Sequence, residues 1–181
     1  MNSKNSNFSV RTLTMTAIFI ALVTVLTAFV SFAVPGGYGY IHPGDSMIYL
    51  CAWALGGPIA GLASALGSAL ADILVGYPQY AIATFVIKFL MGYTCYLIMK
   101  AFSYKKITNI IGMIVASLIM VAGYVGYEYF LSGIGGATAA LVPNLIQAAG
   151  GVIIGAVAVT VFDSINALSP FVTWKEKKNN G

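Results

Sequence analysis

Apolar residues in this chain run in long unbroken blocks rather than alternating with polar ones, and each block ends at glycine, proline or charge. A bilayer crossing takes about 20 apolar residues as helix, so blocks of this kind predict membrane spans. The pattern predicts six, at about 12–34, 46–55, 59–75, 80–99, 107–131 and 137–162. The fold expected is an all-α membrane protein, a single integral membrane domain over 1–181. The second block is short and the third is rich in small residues, with Gly61, Ala65, Gly67, Ser68 and Ala71 forming a narrow surface suited to close packing. Such spans belong inside a bundle.

The breaks between blocks carry most of the polar chemistry. Four glycines and two prolines among the eleven residues from Pro35 to Asp45 must turn the chain, and the same loop holds Tyr38, Tyr40 and His42. Asp45 and Ser46 are good N-cap residues for the second helix, and Asp45 either caps it or contacts a ligand. His42 either donates to a ligand or pins the loop beside Pro43. Further turns are expected at Gly56–Gly57–Pro58, at 76–80 and at 132–136. The apolar run behind the N-terminus is longer than a signal-peptide core and is read as a retained first span.

Composition narrows the class. Hydrophobic residues make up 59% and charged residues 8% of 181 residues, far from the roughly 25% charged content of soluble domains. The net charge of +4 is therefore a topology signal. Six spans with the N-terminus inside place Lys4, Arg11, Lys100, Lys105, Lys106, Lys175, Lys177 and Lys178 on the cytoplasmic side, leaving only Lys88 in the membrane. Both termini are then cytoplasmic, and the tail 174–181 is expected to be disordered. Cys51 and Cys95 lie within apolar blocks and are expected to pack as small soft side chains.

Lys88 is the outlier of the fourth block. A cation at that depth is costly unless it faces the bundle interior and finds a partner. It serves a ligand, pairs with Asp72 or Glu128, or does both. Tyr124, Tyr127 and Glu128 share one helical face, which could sandwich and hydrogen-bond a flat heterocycle. Asn144 and Gln147, three apart in the sixth block, bring donors and acceptors into an apolar setting. Near the Arg11 end, Ala17 and Ala21 form a small-xxx-small pair that would let another helix approach closely. No Lys follows a Gly, so a phosphate-binding GxxxxGK loop is excluded. No metal-ligand spacing occurs, and no cofactor is expected.

The run YIHPGDSMIYLCAWALGGPIAGLASALGSALADILVGYPQYAIATFVIK, with its HPGD, GP, GSALAD and GYP series followed by Lys88, resembles the substrate-binding S components of energy-coupling factor (ECF) vitamin transporters. The resemblance is to the riboflavin-type group, which includes subunits for hydroxymethylpyrimidine and pyridoxine. It implies six helices, a pocket near the outer face, no catalysis by this chain, and partners comprising a transmembrane coupling subunit and two ATP-binding subunits. Tyr40 and His42 would cover the pocket, and Lys88, Tyr124, Glu128, Asn144 and Gln147 would line it. Ala17 and Ala21 resemble the AxxxA motif that docks on the coupling subunit. The donors and acceptors suit hydroxymethylpyrimidine or a B6 vitamer, with riboflavin next. An intramembrane enzyme using Asp72, Lys88 and Glu128 is the alternative from another class.

Overall fold

A computed structural model describes residues 10–33, 40–165 and 172. Tyr38, the lysines at 4, 175, 177 and 178 and the tail 174–181 lie outside these. The described chain is predominantly helical: α1 (Val10–Ala28), α2 (Gly44–Ala54), α3 (Gly57–Leu74), α4 (Ala81–Ala101) and α5 (Lys106–Ser164), with a 3-10 turn at Pro78–Tyr80. Among the described residues, four helical segments are long and apolar enough to cross a membrane: Val10–Ala28, Gly57–Leu74, Pro78–Ala101 and Lys106–Ser164. The last, of 59 residues, is two limbs meeting at Gly133, where φ 67 and ψ −160 interrupt the helix. Only glycine takes that conformation cheaply.

The blocks expected from the sequence recur with shifted ends. Helix α1 stops at Ala28 instead of continuing to Val34, and Phe32–Ala33 (β1) pairs antiparallel with Tyr40–Ile41 (β2). Hydrogen bonding between these strands replaces the last helical turns and brings residue 40 back over the bundle. Only Gly133 leaves the helix in the expected turn at 132–136. In lipid an unmade backbone hydrogen bond is expensive, which favours the shortest possible break.

Helix α2 forms the centre of the bundle. Ile48, Tyr49, Leu50, Cys51, Ala52 and Trp53 are all buried, with α1, α3, α4 and α5 packed around them. Small residues set how closely these neighbours approach. Thr24 Oγ1 donates to the Gly67 carbonyl at 2.9 Å, bringing α1 against α3, and a side chain at Gly67 would collide with Ile20 and Val23. Gly155 similarly receives the ring of Tyr49. Cys51 and Cys95 are buried free thiols, as packing predicts. Val172 also reaches the core, at 2% exposure. The outer faces carry Ile82, Val86, Leu90, Val142, Ile146 and Ile153 in exposed positions, a surface suited to acyl chains.

Candidate binding site at the Asp45 end

Lys88 lies on α4 with no solvent-exposed surface. Its partner is Asp45: the ammonium donates to Asp45 Oδ1 in a fully buried ion pair. Neither Asp72 nor Glu128, the partners expected from sequence, forms an ion pair with it among the described residues. The cap expected of Asp45 is also not made. Pro43 occupies the N-cap position, with no side-chain cap bond, and Asp45 falls in the first turn of α2. Energetics explain the exchange. A missing cap bond costs about 1 kcal/mol, whereas an unpaired buried charge costs several. The position still favours a carboxylate, because the helix dipole is positive there.

The pair is tied into a wider set of hydrogen bonds. Gln147 Nε2 donates to the other Asp45 oxygen at 3.0 Å, while Gln147 Oε1 accepts from the His42 backbone N–H at 3.2 Å. One amide on the second limb of α5 thereby holds both the loop and the start of α2. The Lys88 ammonium also lies 5.4 Å from the centre of the Tyr124 ring, a cation–π arrangement. Tyr124 Oη is 2.9 Å from Thr84 Oγ1, one turn before Lys88. Asp45, Lys88 and Gln147 thus form one buried polar group drawn from three helices, with the half-buried Tyr124 ring against it.

Aromatic residues cover it. Tyr40 Oη donates to Asp72 Oδ1 at 2.6 Å, its ring lying 5.2 Å from that of His42 and 5.6 Å from that of Tyr77. Burial and the Asp72 carboxylate keep the Tyr40 proton in place. His42 is buried too, and desolvation lowers its pKa to about 4, Lys88 adding to the effect and Asp45 opposing it. The ring is therefore neutral. Its Nδ1 accepts from the Gly44 N–H at 3.1 Å, so the ring proton sits on Nε2 and that edge is a donor.

A histidine kept neutral penalises the fold once solution pH falls below its ordinary value near 6.5. The stability it permits is present above that value and is lost as pH falls toward 4. Thermal unfolding in detergent should show the wild type losing about 2 kcal/mol more than His42→Gln between pH 7 and pH 5. Parallel pH profiles would contradict the assignment.

The remaining sequence candidates lie at different distances from this group. Glu128 is buried and accepts from Tyr80 Oη, while Tyr127 Oη donates to the Gln79 carbonyl at 2.6 Å. The Tyr124–Tyr127–Glu128 face thus meets residues 79–88, Tyr124 reaching Lys88 and Glu128 reaching Tyr80. The Asn144 amide donates to Ala140 O of its own helix at 2.8 Å, and the side chain is half-buried. Ala17 and Ala21 are exposed on α1. Sequence reasoning missed Tyr80, Thr84 and the ionic role of Asp45. The spacing of Thr84 and Lys88, one helical turn apart, was an available signal for Thr84.

No group of three or more metal-binding side chains occurs among the described residues. What the geometry defines is a multi-pass helical membrane protein holding a neutralised, donor-rich polar group beneath an aromatic cover. Residues 7–164 match the family described as ECF-type riboflavin transporter, S component, and this chain belongs to that family. Its members are substrate-binding transporter subunits embedded in the membrane, not enzymes, which removes the intramembrane-enzyme alternative. Among relatives, the chain is 42% identical over 137 residues to an uncharacterized protein of Pyrococcus woesei, covering 74% of this chain and 88% of that one. It is 27% identical to the thiamine precursor transporter HmpT of Lactococcus lactis subsp. cremoris, over 91% of this chain and 95% of the relative. A solved S component of a bacterial ECF transporter superposes with a TM-score of 0.65 at 26% identity, covering 84% of this chain and 94% of the other.

Proposed function

We propose that this chain captures a small, polar, flat heterocycle, a hydroxymethylpyrimidine or a B6 vitamer, for an ECF-type importer. The observation that carries the reading is the buried Asp45–Lys88–Gln147 group beside the Tyr124 ring. It presents charge-assisted donors and acceptors together with an aromatic surface in one enclosed place, the combination that a hydroxylated pyrimidine or pyridine requires. Similarity to a thiamine precursor transporter supports the same substrate class. Tyr40 and His42 cover the bound ring, Lys88, Tyr124 and Gln147 hold it, and Glu128 and Asn144 complete the lining once the cover is rearranged around ligand.

In this reading the chain crosses the membrane six times, α2 and the two limbs of α5 each counting as a span, with both termini cytoplasmic and the Asp45 end outside. Ala17 and Ala21 meet the coupling subunit, and two ATP-binding subunits supply the energy. Riboflavin is the second reading, favoured by the description of the family. Native mass spectrometry of protein purified from cells grown in rich medium, followed by titration, tests both. A retained mass of hydroxymethylpyrimidine or a B6 vitamer supports the first reading and riboflavin the second. Silence toward all three compounds would refute this substrate assignment.

A further inference from the structure

Buried charge at the Asp45 end does not balance. Asp45, Asp72 and Glu128 are 0%, 4% and 2% exposed, and against these three carboxylates stands one buried ammonium, that of Lys88. Lys88 is taken up by Asp45, and the neutral His42 ring adds no positive charge. Asp72 and Glu128 are left with tyrosines: Tyr40 Oη donates to the first and Tyr80 Oη to the second. Among the described residues neither carboxylate has an ion-pair partner, and Asp72 Oδ2 is buried without a donor. The other described basic residues stand at distant helix ends, Arg11 in the first turn of α1, Lys100 in the last turn of α4, and Lys105 and Lys106 at the start of α5. Residues 34–39 of the covering loop contain no basic side chain either.

A tyrosine hydroxyl supplies a hydrogen bond but no charge, and a buried charge is costly until it meets its opposite. The surrounding rings favour the same sign of occupant. Tyr40, Tyr77, Tyr80 and Tyr127 follow one another with ring centres 5.6, 6.0 and 5.5 Å apart, and aromatic faces attract cations. Asp72 is also within electrostatic reach of Lys88 and Tyr124, so its charge is felt inside the proposed site. Its second oxygen has no accessible surface, and a positive occupant therefore offsets it through the low-dielectric interior without a direct bond.

We infer that the occupant of this site is positively charged, a flat ring carrying a protonated or quaternary nitrogen that supplies the charge Asp72 and Glu128 lack. The inference rests on the substrate reading above and narrows it, since pyridine and aminopyrimidine rings both hold a nitrogen basic enough to take a proton. Lys88, already matched by Asp45, is left as a donor to the hydroxyl groups of the occupant.

The test is calorimetric titration of the full chain in detergent with two probes of the same outline, the N-methylpyridinium form of nicotinyl alcohol and meta-methylbenzyl alcohol, which differ only in the charged ring nitrogen. Hydroxymethylpyrimidine and pyridoxine are titrated alongside. The cation should bind about ten-fold tighter than its neutral isostere, and Asp72→Asn and Glu128→Gln should each lower that ratio by about three-fold. Because both probes are measured on the same protein, partial loss of folded variant leaves the ratio unmoved. Equal affinity for the two probes would overturn the inference, as expected if the carboxylates take up protons instead, and so would a preference for the neutral probe, an unchanged ratio in both variants, or failure of the cation to bind at millimolar concentration. Binding of hydroxymethylpyrimidine or pyridoxine in the same series would then leave the substrate reading standing, whereas silence toward all four compounds would remove both.

Discussion

Lys88→Met should be the most damaging single substitution in the bundle. Met fills nearly the same volume, but the change leaves the Asp45 carboxylate buried without its counter-charge, with Gln147 as its remaining partner. Breaking a buried pair by removing one partner costs about 3–5 kcal/mol, which lowers the thermal midpoint of a chain this size by roughly 10 °C. Substrate binding should disappear with it. Asp45→Asn combined with Lys88→Met should recover most of the stability, because a neutral amide can share hydrogen bonds with Gln147, yet the double variant should still not bind substrate. Unfolding midpoints in detergent and equilibrium titrations check both halves. A Lys88→Met protein as stable as wild type would show that the pair is not the anchor described here.

The second large effect is expected in transport. Helix α1 turns Phe19, Val23 and Thr27 inward and leaves Ala17 and Ala21 exposed on its outer side. Ala17→Leu with Ala21→Leu adds bulk where the proposed coupling subunit approaches and none where the bundle packs. Uptake in cells carrying the whole transporter should fall to background, while substrate affinity of the isolated subunit stays within about two-fold of wild type. Loss of affinity in the isolated subunit, or uptake at wild-type rates, would each contradict docking through this face.

Much of this organisation was legible because lipid-facing and core helices both demand long apolar blocks, which glycine, proline and charge then punctuate. Lys88 stood out for the same reason, since one cation in an apolar helix has to be enclosed and paired. Its partner was not legible. Asp45 sits where a capping residue would, and local pattern cannot weigh a cap bond against an ion pair with a residue 43 positions away. The end of α1 was missed because Phe32 and Ala33 are as apolar as the helix before them. Only pairing with Tyr40 and Ile41, across a loop, distinguishes strand from helix there. The break in α5 was placed correctly but made too wide, because the cluster Gly133–Gly135–Gly136 contains more glycine than the one non-helical residue requires. The site residues divided along similar lines. Gln147 and Asn144 are equally polar and one turn apart, and only the packing of α5 against α2 gives Gln147 a buried partner.

The order of Asp45 and Lys88 along the chain bears on how the protein enters the membrane. Segments emerge from synthesis in sequence, so α2, with its carboxylate, is made before α4, with its ammonium. A nascent chain that has completed α4 already possesses both charges, and Lys88 can pass into hydrocarbon as half of a neutral pair, 59 residues before Gln147 is made. The later amide then closes a structure whose electrostatic problem has been solved upstream. Reversing the two residues, Asp45→Lys with Lys88→Asp, would keep the pair but set an ammonium at the positive end of α2, so the stability of the inserted protein should fall even where insertion yield does not.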